Sequence, residues 1–190
     1  MERSAILAGF GGQGVLLLGK LIAMAAMNEG AEVSWLPSYG PEMRGGTANC
    51  TVVIADRPIG SPVVPTPDIA VVMNIPSSEK FGPLVRPGGL LLVNSTLVPD
   101  SKIPERPDVA IVRIPASGIA VDLGAPIVAN MVMLGAFAFL TRTVALAGVA
   151  RELAHLFGGK AQVLRLNRMA VATGVRVART AGRPAEVVRA

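Results

Sequence analysis

Glycines stand close together at Gly9, Gly11, Gly12 and Gly14, after a short apolar run from Ala5 to Ala8 and before an apolar pattern through Leu16, Leu17, Leu21, Ile22 and Met24. That order predicts a strand, a tight turn and a helix. A turn without Cβ atoms lets the N–H groups at the start of a helix approach an anion, and the helix dipole favours negative charge there. Gly9, Gly11 and Gly14 also satisfy the G-x-G-x-x-G spacing of dinucleotide sites. Those sites need an acid roughly 20 residues on, at the end of the second strand, to hold the ribose hydroxyls. The strand predicted over Ala31 to Leu36 ends in Trp35, Leu36 and Pro37, and Glu32 stands at its start, the wrong end. On these residues three readings stay open: a dinucleotide, another phosphate-bearing ligand, and a turn with a purely structural role.

The second informative stretch is Pro37-Ser38-Tyr39-Gly40-Pro41-Glu42-Met43-Arg44-Gly45-Gly46, an ordered loop by its prolines and glycines. Arg44 before Gly45 and Gly46 offers a fixed cation beside open backbone amides, a chemistry suited to phosphate or carboxylate. The alternative is that the paired glycines allow a bulge entering the next strand. Asn74, Asn94 and Ser95 end predicted buried strands, and in open α/β sheets ligands lie outside the carboxyl ends of the strands. Each could equally cap a helix. Lys20 reads as a solvated lysine, His155 as a packed or surface histidine, and the lone Cys50 as a small core hydrophobe. Paired carboxylates, a serine, histidine and aspartate set and metal-ligand spacing are all missing. These residues predict a chain able to bind a ligand but poorly equipped for chemistry.

The elements that must hold these residues follow from the apolar pattern. After the first strand come a helix over Val15 to Asn28, ending at Gly30, and strands over Ala31 to Leu36 and Thr47 to Ala55. A hairpin-like excursion ending at Val63-Val64 predicts a mixed sheet. Strands over Asp68 to Asn74, Leu90 to Val93 and Val109 to Ile114 alternate with helices over Pro76 to Phe81 and Pro115 to Leu123. The rest is helical, over Pro126 to Arg142, Gly148 to Phe157 and Lys160 to Thr180. The fold class is α/β: a layered fold with a central mixed sheet, helices packed on it, a Rossmann-like first βαβ unit and a helical C-terminal third.

The chain has 190 residues, 51% of them hydrophobic, which suits a single domain over 1–190. Its start runs straight into the first strand, leaving no room for a signal peptide, and the apolar run Ile127 to Leu140 is too short to span a bilayer. With one cysteine there is no internal disulfide, consistent with a reducing cytoplasm. The net charge of +5 comes from the C-terminal third, where Arg142, Arg151, Lys160, Arg165, Arg168, Arg176, Arg179, Arg183 and Arg189 face only Glu152 and Glu186. No nucleic-acid motif accompanies them, so a solvated or subunit-facing helix is expected, and neither a nucleic-acid nor a membrane partner.

The motifs together resemble the gamma subunit of 2-oxoacid:ferredoxin oxidoreductases. They are Gly9-Phe10-Gly11-Gly12-Gln13-Gly14-Val15, Pro37 to Thr47, Pro67-Asp68, Pro87-Gly88-Gly89, Asn94-Ser95, Asn130-Met131 with Leu134-Gly135-Ala136, and Leu166-Asn167. The resemblance runs through almost the whole chain. It implies a cytoplasmic subunit, inactive alone, working with alpha, beta and delta subunits and through them with ferredoxin; a homodimer contact is also open. Enzymes of this family decarboxylate a 2-oxoacid on thiamine diphosphate, pass electrons through iron–sulfur clusters and release an acyl-CoA. The thiamine diphosphate and the clusters belong to the partner subunits, and the gamma domain is thought to help bind coenzyme A. By position this implies contacts from Gly11, Gly12, Gln13 and Gly14 and from Arg44, Gly45 and Gly46, with Asn94 and Ser95 at the same cleft; no catalytic or metal residue is implied. Relatives often carry Asn where this chain has Ala125. Ser38-Tyr39-Gly40-Pro41-Glu42 is more similar to the 2-oxoglutarate subgroup than to the pyruvate or indolepyruvate ones.

Overall fold

The computed structural model describes residues 1–40 and 46–181. Strands β1 (Glu2–Phe10), β2 (Glu32–Tyr39), β3 (Thr47–Ala55), β4 (Ile69–Val72), β5 (Leu90–Asn94) and β6 (Ala110–Ile114) form one sheet in the order β2-β3-β1-β4-β5-β6. β1, β4, β5 and β6 run parallel, while β3 is antiparallel to β1 on one side and to β2 on the other. The sheet is mixed, as the sequence predicts, but for a different reason. Residues 56–68 contribute no strand, so the hairpin-like excursion is absent; the antiparallel member is β3 itself, inserted between β1 and β2. The first βαβ unit therefore sets β2 parallel to β1 but one place further out. As a result, the end of β1, the end of β2 and the start of β3 all meet at one edge of the sheet.

β1 is buried from Ser4 to Gly9, which is why its sequence is a continuous apolar run and not an alternating one. Helix α1 (Val15–Asn28) buries Leu18, Leu21, Ile22 and Ala25, the spacing of one helical face. It ends where Gly30 takes a positive φ and the amides of Gly30 and Ala31 donate to the carbonyls of Met27 and Ala26, the paired bonds of a Schellman cap. Along the chain follow α2 (Ile75–Phe81), α3 (Ala116–Asp122), α4 (Ala129–Thr141), α5 (Leu146–Phe157) and α6 (Ala161–Ala181). The larger core lies between the sheet face carrying Leu7, Cys50, Val71 and Leu92 and helices α1, α4, α5 and α6. A smaller one, around Val72, Leu91, Val93 and Val98, fills the opposite face. Among the described residues no helix is long and apolar enough to cross a membrane.

Helix α4 is buried almost all round and α6 lies directly against it. Two glycines allow this contact. A Cβ on Gly135 would stand 2.0 Å from the Val171 carbonyl oxygen, and one on Gly174 would stand 1.9 Å from that of Val132. Backbone meets backbone at both points, so no rotamer change relieves an added methyl. Gly174→Ala should therefore cost about 3 kcal/mol and lower Tm by roughly 6–12 °C in a chain of this size, read by calorimetry.

At the other end of β1, Asp68 accepts from the Ser4 amide (2.7 Å) and hydroxyl (2.8 Å) and pairs with the Arg86 guanidinium. Burial alone would raise the Asp68 pKa, but these bonds outweigh it and hold the carboxyl below its ordinary 3.8. A carboxylate with a depressed pKa stabilises the fold above its unfolded pKa, and that contribution is lost as pH falls through the folded value. In urea titrations between pH 2 and 7, as experimental conditions of about that range, Asp68→Asn should be less stable at neutral pH and should show a flatter acid decline.

Candidate functional site

The carboxyl edge of the sheet carries a cleft of about 490 Å³ built around the glycine turn. β1 ends at Phe10 and the chain reverses through residues 11–14, closed by the Gln13 amide donating to the Phe10 carbonyl at 3.0 Å. Gly14 stands at the N-cap of α1 with φ 71°, and a Cβ there would lie 2.3 Å from Asn130 Nδ2. Both the dihedral and the neighbour require glycine. The turn is tied to the other glycine-rich loop by the Gly11 amide, which donates to the Gly46 carbonyl at 2.9 Å.

Two of the turn's amides, those of Gly11 and Gln13, are thus spent inside the chain. Those of Gly12, Gly14 and the first turn of α1, Val15 to Leu17, meet no acceptor among the described residues. They keep the partial positive charge of a helix N-terminus. Across from them, Asn130 in the first turn of α4 donates from Nδ2 to the Gly14 carbonyl at 3.1 Å. The walls are apolar: Leu16 and Leu17 from α1, Met131 from α4, Phe157 at the end of α5, and Val163 and Leu166 from α6. No acidic or basic side chain is among the described lining residues.

Of the residues the sequence assigns to a site, Gly11, Gly12, Gly14 and Gly46 line this cleft. Arg44 and Gly45 lie outside the described residues. Gln13 does not face the cleft; its Oε1 accepts from the Phe10 amide (2.7 Å) and Asn74 Nδ2 (3.1 Å), which pins the turn to the end of β4. Asn94 is fully buried, donating to Ser117 Oγ at 2.9 Å and accepting from the Ser117 amide at 3.2 Å, and so caps α3 from outside. Ser95 donates its amide to the Ile114 carbonyl and lies outside the cleft. Asn74 caps α2 through its bond from the Ser77 amide. The capping alternative is the one realised at both asparagines, because strands with polar ends feed helices whose first amides need acceptors.

Other sequence readings fall into place. Cys50 is buried against the Val15 carbonyl, and burial pushes its thiol up to about 12, so it is an inert core residue. His155 and Lys20 are exposed. Arg165, Arg168, Arg176 and Arg179 lie on the exposed side of α6, where the Arg179 guanidinium sits 5.6 Å from the Phe139 ring. What sequence reasoning missed is the far wall. Asn130, Met131, Leu166 and Asn167 were legible only as motif positions, and nothing in their spacing shows that α4 and α6 face the glycine turn.

The motif resemblance now has independent support. Residues 4–177 match the family model described as pyruvate ferredoxin/flavodoxin oxidoreductase. The chain belongs to that family. It is 42% identical over 146 residues to the 2-oxoglutarate synthase subunit KorC of Methanocaldococcus jannaschii, covering 76% of this chain and 78% of that one. It is 39% identical to the ketoisovalerate oxidoreductase subunit VorA of Methanothermobacter marburgensis over 91% of this chain, but spans only 36% of that relative. Among solved structures, it matches the 2-oxoglutarate:ferredoxin oxidoreductase of Magnetococcus marinus, with 2-oxoglutarate, coenzyme A and succinyl-CoA bound, at a TM-score of 0.86 and 27% identity, covering 96% of this chain and 32% of that one. The expected likeness to gamma subunits of 2-oxoacid:ferredoxin oxidoreductases is borne out.

The placement of Asn94 separates support from ligand contact. Asn94→Ala leaves buried partners unsatisfied and should cost about 2 kcal/mol, lowering Tm by roughly 4–8 °C. Affinity for any ligand of the cleft, measured by calorimetry on the folded variant, should stay within about twofold; a tenfold loss at unchanged Tm would make Asn94 a ligand contact.

Proposed function

We propose that this chain is the gamma component of a cytoplasmic 2-oxoacid:ferredoxin oxidoreductase and that its cleft contributes to binding coenzyme A. In this reading thiamine diphosphate and the iron–sulfur clusters reside on partner alpha, beta and delta subunits, which break the carbon–carbon bond and pass the electrons to ferredoxin. The observation that carries it is the convergence of separated motif residues, Gly12, Gly14, Gly46, Asn130 and Leu166, on one cleft with unspent helix amides. A single cysteine in the chain cannot ligate a cluster, and the described lining of the cleft holds no acid to activate thiamine. The related Magnetococcus enzyme, solved with coenzyme A and succinyl-CoA, supports the choice of ligand. Exposed apolar side chains at the rim, Tyr39 at 72% and Ile127 at 79%, suit surfaces that partner subunits cover.

The substrate of the complex in this reading is 2-oxoglutarate, supported by the Ser38 to Glu42 segment and by the likeness to KorC along most of its length. A branched-chain 2-oxoacid is the second reading, favoured by the likeness to VorA over 91% of this chain. A stand-alone NAD or FAD module is weaker, because β2 begins rather than ends at Glu32.

The chain alone should show no oxidoreductase activity, and combining it with its thiamine-binding and cluster-bearing partners should produce coenzyme A-dependent ferredoxin reduction, fastest with 2-oxoglutarate. Activity from the isolated chain would refute the reading. In the assembled enzyme, Arg44→Ala should raise KM for coenzyme A about tenfold, the loss of one charge-assisted bond, with thiamine binding unchanged. An unchanged KM would remove Arg44 from the site.

A further inference from the structure

Helix α6 divides its residues by side. Ala170, Gly174 and Ala178 are buried in the core, and on the opposite side Arg165, Arg168, Arg176 and Arg179 are exposed. At 3.6 residues per turn these arginines fall within a stripe about 100° wide and, at 1.5 Å per residue, roughly 21 Å long. Among the described residues, the guanidinium groups of Arg165, Arg168 and Arg176 make no hydrogen bond or ion pair, and that of Arg179 meets only the Phe139 ring. Cations on the sheet side are treated differently. Arg3 and Arg86 pair with Asp68, Lys102 with Glu79, Arg106 with Asp108 and Arg113 with Asp100. Helix α6 holds no acid anywhere along its 21 residues, and Lys160 stands just before its first turn. A cation at a helix N-terminus is unfavourable, and so are like charges on neighbouring positions such as Arg165 with Arg168 and Arg176 with Arg179. The charge of the stripe therefore works against α6 on its own and is relieved by carboxylates from another molecule.

The rest of the face points to the kind of molecule. Met169, 41% exposed, lies among the arginines, and methionine and arginine are both enriched where proteins meet proteins. The exposed Ala172 leaves the middle of the stripe open to close approach. A bilayer would need a free apolar face on the helix, and that of α6 is already spent on the core. Between Arg165 and Arg179 the exposed residues include no aromatic side chain to stack on bases and no asparagine or glutamine to read them. Two relatives bear on which protein it is: this chain spans only 36% of the VorA chain and 32% of the Magnetococcus chain, so in each a segment like this one shares its polypeptide with further sequence. Resting on the reading of this chain as one component of a multi-subunit enzyme, we propose that the outer face of α6 docks on an acidic surface of the partner subunit that corresponds in sequence to the remainder of the VorA chain. Carboxylates of that subunit pair with the four guanidinium groups, whose planar forks suit them.

The test mixes the full chain with that partner subunit and follows association by calorimetry. Binding should weaken about tenfold between roughly 0.05 and 0.5 M sodium chloride. Each single Arg→Gln change at 165, 168, 176 or 179 should weaken it about threefold, and all four together about a hundredfold, with most of the salt dependence lost. Because the changed side chains are exposed, Tm of these variants should stay within about 2 °C of the native chain. Arg57→Gln, at an exposed cation outside α6, should bind as the native chain does. A fourfold variant that binds the partner as tightly as the native chain would overturn the inference and leave the multi-subunit reading standing. So would association of the native chain with a different subunit only, or arginines that matter for duplex DNA or phosphatidylserine vesicles and not for the partner. A native chain that associates with no subunit of the complex at either salt concentration would overturn that reading and this inference with it.

Discussion

The bond from Asn130 Nδ2 to the Gly14 carbonyl joins positions 116 residues apart, and the shape of the cleft depends on it. It fixes the first turn of α4 against the turn that opens α1, so the two helix starts converge on one space. Glycine is required at position 14 because the carboxamide occupies the volume of a Cβ. The constraint then passes along α4. Gly135 and Gly174 let α6 lie backbone to backbone on that helix, and this sets Val163 and Leu166 as the opposite wall. A wall held by close backbone contact has no slack.

The second constraint is the insertion of β3. β1 and β2 run parallel and end at the same edge of the sheet. Here β3 returns antiparallel between them, with Phe10 opposite Thr47, and the Gly11 amide reaches the Gly46 carbonyl. Both glycine-rich stretches of the sequence thereby border the same cleft, at the carboxyl edge where α/β sheets leave room for ligands. The polar residues at that edge are occupied otherwise. Gln13, Asn74 and Asn94 satisfy helix starts and strand ends, so they stabilise the edge and leave backbone amides and apolar side chains to meet a ligand.

Much of this was legible in the sequence, because the signals involved are local. Continuous apolar runs gave the buried strands, with β3 at Thr47–Ala55 as expected and the others within a few residues, and the apolar pattern through Leu16, Leu17, Leu21, Ile22 and Met24 gave α1. The glycine turn was readable because a strand followed by a glycine-rich turn has few other uses. The excursion at Val63-Val64 was misjudged for an equally physical reason: prolines and glycines mark a reversal but do not say whether the returning segment finds a strand edge to pair with. Here β3 is flanked by β1 and β2 and offers no free edge to the segment that follows it.

By itself, then, the sequence determined the class of fold and the turn at Gly11 to Gly14, since these follow from residue type and short-range spacing. Only the tertiary structure decided which polar groups remain available. Whether an asparagine caps a helix, as Asn94 does, or ties one helix start to another, as Asn130 does, depends on groups brought from distant segments. Hydrogen-bond satisfaction is a property of the assembled fold, and chain order does not encode it at any fixed spacing.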